Sequence, residues 1–178
     1  IFDSDPKGSP DLYEKSVDGV GTEQLLVASP DIKEAKDWSP DGRAMIYALL
    51  SATNQRDLWV LPLAGPDRKP WPFVQTPFAE SSARFSGDGR FVAYQSNENG
   101  SVEVYAQSFP KPSRRVQIST KGGRFPQWRG DGRELYYLAR DNRLMAVPIS
   151  VKGSTVEAGT AAALFTVPRN SEFVVAPD

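Results

Sequence analysis

Trp38-Ser39-Pro40-Asp41-Gly42-Arg43 returns as Phe85-Ser86-Gly87-Asp88-Gly89-Arg90, again as Trp128-Arg129-Gly130-Asp131-Gly132-Arg133, and begins once more at Val175-Ala176-Pro177-Asp178. Asp41, Asp88, Asp131 and Asp178 are 47, 43 and 47 residues apart. A period of that length belongs to a four-stranded blade and excludes the shorter solenoid units. The expected fold is all-β, a β-propeller of four-stranded antiparallel blades with about four blades present.

Working outward from the first copy, Lys33 to Trp38 leads into a Ser-Pro-Asp-Gly hairpin, with Gly42 at the positive-φ position. Ala44-Met45-Ile46-Tyr47-Ala48-Leu49-Leu50 has no helical stripe and suits a strand covered on both faces. Asp57 to Leu63 supplies a third strand. The stretch Lys69 to Thr76 contains Pro70 and Pro72, which cannot donate ladder hydrogen bonds and so belong at an outer edge. The third unit repeats the order with Phe91 to Ser96, Val102 to Tyr105 and an edge near Arg114 to Ile118. The fourth does so with Glu134 to Ala139, Arg143 to Pro148 and an outer strand at Ala162 to Val167. A helix over Glu157 to Phe165 is disfavoured by Gly159 and the β-friendly Leu164-Phe165-Thr166-Val167. The blades are placed at 1–28 (partial), 33–76, 80–118 and 123–167, with 172–178 as the innermost strand of a further or shared blade.

Both ends fall out of phase with the blades. Ile1-Phe2-Asp3-Ser4 matches the end of a second strand, and Asp11-Leu12-Tyr13 matches Asp57-Leu58-Trp59. Two arrangements follow: an open fragment of a larger propeller, or a four-bladed ring closed by the C-terminal strand. An open arc would cover its end blades by self-association.

With 21 basic and 22 acidic residues among 178, the net charge is near zero, so no nucleic acid or anionic membrane partner is expected. No apolar run approaches the ~18 residues of a membrane span, and no direct membrane insertion is expected. The chain has no His and no Cys. That excludes a Ser-His-Asp triad, an imidazole base, His-ligated zinc, a thiolate nucleophile and any disulfide within it. Asp3-Ser4-Asp5-Pro6-Lys7-Gly8 with Glu14 superficially follows a calcium-loop spacing, but Lys7 stands where an oxygen ligand is needed. No Ser-x-Asp-x-Gly-x-x-Trp turn of sialidase type occurs. The expectation is no catalytic residue, no metal and no cofactor.

Recurring Asp-Gly pairs read as turns, and Arg43, Arg90 and Arg133 as a repeated structural contact at the hairpin exit. Trp38, Phe85 and Trp128, like Tyr47, Tyr94 and Tyr137, read as wedges between blades. The repeats stop resembling one another along the strands that line a propeller axis. Four residues before the anchor they carry Glu34, Ser81, Arg124 and Ser171; immediately before it they carry Asp37, Arg84, Gln127 and Val174. Glu34, Asp37, Ser81, Arg84, Arg124 and Gln127 are therefore the candidate channel or interaction surface.

The aromatic-Ser-Pro-Asp-Gly-Arg element, the apolar strand carrying Tyr and the following Asp-Leu-Trp/Tyr resemble the WD-like repeats of TolB and its relatives. The likeness runs over nearly the whole chain, with Gly87 and Arg129-Gly130 departing from the usual Ser-Pro. Similar repeats occur in periplasmic TolB, in the C-terminal arrays of bacterial membrane serine/threonine kinases and in the N-terminal propellers of prolyl-oligopeptidase-type peptidases. Asp11-Leu12-Tyr13-Glu14-Lys15, Leu61-Pro62-Leu63-Ala64-Gly65 and the tail from Glu172 look most like the kinase arrays. The resemblance implies a non-catalytic interaction or sensor domain on the extracytoplasmic side of a bacterium, binding a protein or small ligand that the sequence leaves unidentified. Its alternative is a gating propeller of a serine peptidase.

Overall fold

The structure, a computed structural model, describes residues 1–4, 10–18, 20–51, 55–112, 114–168 and 173–176. Sixteen strands are assigned and, among the described residues, no helix. They form four antiparallel sheets in chain order. The first contains β1 (Phe2–Ser4), β2 (Asp11–Glu14) and β3 (Gln24–Val27). The second contains β4 (Ile32–Trp38), β5 (Ala44–Leu50), β6 (Arg56–Pro62) and β7 (Trp71–Val74), and the third β8 (Glu80–Phe85), β9 (Phe91–Ser96), β10 (Glu103–Ser108) and β11 (Val116–Gln117). In the fourth, β12 (Gly123–Trp128), β13 (Glu134–Ala139) and β14 (Arg143–Lys152) are followed by β15 (Thr155–Ala158) and β16 (Ala162–Thr166), both paired with β14. Each sheet packs on the one before it, as propeller blades do.

The recurrent hairpin has one geometry in all three copies. Ser39 Oγ donates to Asp41 Oδ1 (2.6 Å) and accepts from the Ala44 amide (2.9 Å), while the Arg43 amide donates to Asp41 Oδ1 (3.0 Å). Ser86, Asp88, Arg90 and Phe91 reproduce these contacts. In the third copy Arg129 replaces serine, yet the Arg133 amide still donates to Asp131 Oδ1 (2.9 Å) and the Gly132 amide to the Arg129 carbonyl (2.9 Å). The aspartate thus sets the turn and the serine only reinforces it. Within their own hairpins the Arg90 and Arg133 side chains approach Asp88 and Asp131 at 3.9 and 4.0 Å, exposed ion pairs of little strength. Arg43 and Arg133 are exposed, and Arg90 alone reaches across to the Gly153 carbonyl (3.2 Å); what recurs in all three copies is the arginine backbone amide on the aspartate.

Neighbouring hairpins approach closely, which explains the missing proline at position 87. A Cβ on Gly87 would run into the Gly130 carbonyl oxygen of the next hairpin. Beneath the turns, Tyr47, Tyr94 and Tyr137 are buried, and burial pushes the Tyr47 phenol up to about 12. Phe85 wedges against the second sheet beside Val60 and Phe73, with the Phe109 ring 4.9 Å away. Trp128 does the same against the third. Each such side chain contributes about 1.5–3 kcal/mol when fully buried. Trp38 departs from the expected wedge and is 39% exposed. Its neighbour is the first sheet, whose strands are only three or four residues long.

Of the tail placed at 172–178 as the innermost strand of a further or shared blade, only 173–176 lie among the described residues. Phe173–Ala176 pairs with no strand, and β1, with three residues, offers it only a short ladder. The arrangement is that of an open or partial propeller. Residues 5–9, part of the stretch with the superficial calcium-loop spacing, lie outside the described residues.

Gly87→Ala is expected to lower stability by about 1–3 kcal/mol, the cost of overpacking a close backbone approach, read as a shifted midpoint in urea unfolding.

Candidate functional site

Inner strands β4, β8 and β12 begin as regular ladders and then slip at one shared repeat position. The register shifts between Ala35 and Asp37, between Ser81 and Arg84, and between Arg124 and Gln127. Ser82 (φ 53°) and Phe125 (φ 55°) occupy equivalent places in two of these bulges, a left-handed conformation unusual for residues with side chains. A bulge removes ladder partners from the backbone around it, so those groups must be satisfied otherwise.

The adjoining blade satisfies them. Asp37 Oδ2 accepts from the Phe85 amide (2.8 Å), and Arg84 Nη1 donates to the Lys36 carbonyl (2.7 Å). One junction further, Gln95 Oε1 accepts from the Phe125 amide (3.0 Å), and Trp128 Nε1 donates to the Arg84 carbonyl (3.1 Å). Gln95 Nε2 also donates to Ser81 Oγ (3.0 Å) within its own blade.

Between the bulges lies a polar cleft of about 380 Å³. Lys36, Arg56, Ser81, Ser82, Arg84, Gln95, Phe125 and Gln127 line it, and Phe173 and Val174 of the C-terminal segment border it. Glu34 stands at its edge, bound by Lys36 Nζ (2.7 Å) and Arg56 Nη2 (3.0 Å). Burial works to raise the Glu34 carboxyl, but the Lys36 hydrogen bond and the two positive charges outweigh it and hold the group below its ordinary value. Burial prevails at Asp37, whose carboxyl is raised despite the Phe85 amide and Arg84. A larger hollow of about 620 Å³ beside β13 and β14 is floored by Tyr137, Ala139 and Met145, away from the bulged strands.

Of the six candidate residues, the structure brings Ser81, Arg84 and Gln127 into the cleft and sets Glu34 at its edge through Lys36 and Arg56. Asp37 is turned to the next blade's backbone. Arg124 faces a neighbouring hollow beside Leu138 and Arg140 and donates to Asn142 Oδ1 (2.6 Å). Ser171 lies outside the described residues. Lys36, Ser82 and Phe125 were not anticipated, because a bulge changes which residues share a face and leaves no mark in an alternation pattern, and Arg56 and Gln95 were not because they reach the cleft from neighbouring strands. Gln95 alone left a signal, as the one polar residue where the neighbouring repeats carry Ala48 and Leu138.

No family model matches the chain, and no curated protein matches it. Similar solved structures include TolB from Agrobacterium tumefaciens, at 18% identity and a TM-score of 0.67, over 89% of this chain and 59% of that one. TolB from Acinetobacter baumannii is similar at 17% identity and a TM-score of 0.64, over 88% of this chain and 39% of that one. The β-propeller domain of the Trilobed protease from Pyrococcus furiosus, described as having an open velcro topology, matches at 17% identity and a TM-score of 0.54, over 79% and 44%. The chain therefore spans well under two thirds of these relatives, and at such identities the likeness is one of fold: a TolB-like β-propeller.

Gln95→Leu, which copies the apolar residue of the adjacent repeat, strands the Phe125 amide. It is expected to cost about 0.5–1.5 kcal/mol in chemical unfolding, the net worth of one lost hydrogen bond at a half-buried site.

Proposed function

We propose that this chain is a non-catalytic binding segment, the sensor or interaction part of a larger bacterial protein, and that it engages its protein or ligand partner at the axial cleft. The observation that carries the reading is the convergence of three bulged inner strands on one polar cleft. Their hairpins stay alike while their axial residues differ, as Ala35, Ser82 and Phe125 do at one repeat position. Uniform residues build the scaffold; unlike residues at a shared position carry specificity. Arg56 and Arg84 offer donors to an acidic or carbonyl-rich partner, and Phe125 offers an apolar surface.

The resemblance of the repeats to the arrays of membrane serine/threonine kinases supports an extracytoplasmic sensor attached to such an enzyme. The second reading, a propeller that gates substrate to a peptidase domain, is favoured by the likeness to the propeller of the Trilobed protease. In either setting the chain binds and does not transform.

Gln127→Trp fills the cleft from a half-buried position without removing a hydrogen bond between blades. Titration of acidic, neutral and basic tetrapeptides, followed by calorimetry, is expected to show binding by the native chain and at least about a tenfold loss in the variant, equivalent to about 1.4 kcal/mol. Equal binding by both proteins refutes the cleft as the site, and turnover of any peptide by the isolated chain refutes the non-catalytic reading.

A further inference from the structure

At every blade junction an acidic residue opening the third strand meets the start of the next blade. At the first junction Asp11 on β2 receives Lys33 on β4. This fully buried ammonium donates to Asp11 Oδ1 (2.8 Å), the Ser29 carbonyl (3.0 Å) and the Asp31 carbonyl (2.6 Å). At the third junction Glu103 on β10 accepts from the Ser119 hydroxyl and from the Gly122 amide (2.8 Å). Both acids are matched by donors from the protein.

The second junction differs. Asp57 on β6 occupies the place of Asp11, and Glu80 on β8 occupies the place of Lys33: Lys33 pairs with Leu49 in its ladder, and Glu80 with the equivalent Ser96. A carboxyl thus stands where the preceding blade uses an ammonium. Glu80 is fully buried and Asp57 is 7% exposed. Glu80 Oε1 accepts from Thr76 Oγ1 (2.7 Å) and Ser96 Oγ (3.0 Å), and Asp57 Oδ2 accepts from Gln75 Nε2 (3.1 Å). Asp57 Oδ1 and Glu80 Oε2 are buried without a hydrogen-bond partner.

A fully buried carboxyl with no cation bonded to it is compensated most simply by keeping its proton, and the negative charge of Asp57 acts on Glu80 in the same direction. The other charged or titratable groups nearby are Arg115, paired with Glu98 at 2.5 Å, and the Tyr94 phenol on β9, which burial keeps neutral. Among the described residues no group of three acidic side chains gathers as a metal site would require.

We propose that Glu80 holds a proton in the folded chain and forms, with Asp57, a pH-responsive clasp between the second and third blades. The Glu80 carboxyl is raised above its ordinary value, first by burial and further by the Asp57 charge, against the opposing effects of Thr76, Ser96 and Arg115. A raised acid stabilises the fold fully below its unfolded value of 4.5, and that contribution is lost as pH climbs through the folded value. β8 continues from Glu80 into Ser81 and Ser82, so the clasp lies at the root of a strand lining the axial cleft. Its readout is folding, and it stands independently of whether that cleft binds a partner.

Thermal unfolding of the native chain and of Glu80→Gln, compared between about pH 4.5 and about pH 7.5, tests the clasp. Glutamine keeps an acceptor for Thr76 and Ser96 and offers Asp57 a donor that does not titrate. The native chain is expected to lose roughly 2–4 °C in Tm relative to the variant across this window. Titration of Asp37 is common to both proteins and cancels in the difference. Asp57→Asn should lessen the pH dependence without abolishing it, because Glu80 stays buried, and Glu80→Lys, where it folds, should rebuild the Lys33–Asp11 kind of pair. Parallel pH curves for the native chain and Glu80→Gln overturn the proposal. So does a neutral-pH Tm that rises with calcium or sodium and falls on their removal, because the compensating charge would then be a metal ion.

Discussion

A blade of four strands has two faces to cover and can cover neither alone, so the packing of this protein is arranged around the junction between consecutive sheets. Apolar wedges fill the middle of the junction. Phe85 and Trp128 each press on the preceding sheet, and Phe109 joins Trp71 and Phe73 beside the first of them. Polar groups fix the rotation of one sheet on the next, through the acid at the head of each third strand and the Asp37, Arg84 and Gln95 contacts at the bulges. Where the neighbouring sheet is short, as beside Trp38, the wedge stays partly in water.

The junctions are built on one plan with different chemistry. The acid of Asp11 meets an ammonium and that of Glu103 a hydroxyl and a backbone amide, while at the junction of Asp57 the ammonium's place is taken by the carboxyl of Glu80. The same scaffold position therefore tolerates opposite charge provided that its partner changes with it. A buried pair such as Asp11 and Lys33 is costly to break one partner at a time, which ties the shorter first sheet to the rest of the array. The axial side follows the opposite rule: its backbone is distorted in the same way in three strands while its side chains diverge. Left-handed Phe125 holds that distortion with its amide captured by Gln95 of the preceding blade.

How far the chain could be read in advance depended on whether the signal was local. Asp41, Asp88 and Asp131 were legible as turn residues because an Asp-Gly turn is closed by its own neighbours. The β5, β9 and β13 strands were legible because both their faces are apolar. The β14–β15 hairpin was not, since Val151 and Val156 resemble any loop-flanking residues until the ladder is seen. Of the candidate site, Ser81, Arg84 and Gln127 were legible as unlike residues at like positions. Arg56 and Phe125 were not: one reaches the cleft from a third strand, and the other is aimed there by a bulge.

The amino-acid sequence alone determined the repeat, the antiparallel blade and the hairpin chemistry, because a period, a strand pattern and an Asx turn are all properties of short stretches of chain. Tertiary structure decided what those blades do to one another. Whether Asp37 faces a ligand or the Phe85 amide, whether Trp38 is covered, and whether Asp57 meets a lysine or another acid each depend on the neighbouring sheet. Those contacts join residues far apart in the chain, and burial alone turns them from solvated charges into constraints on the fold.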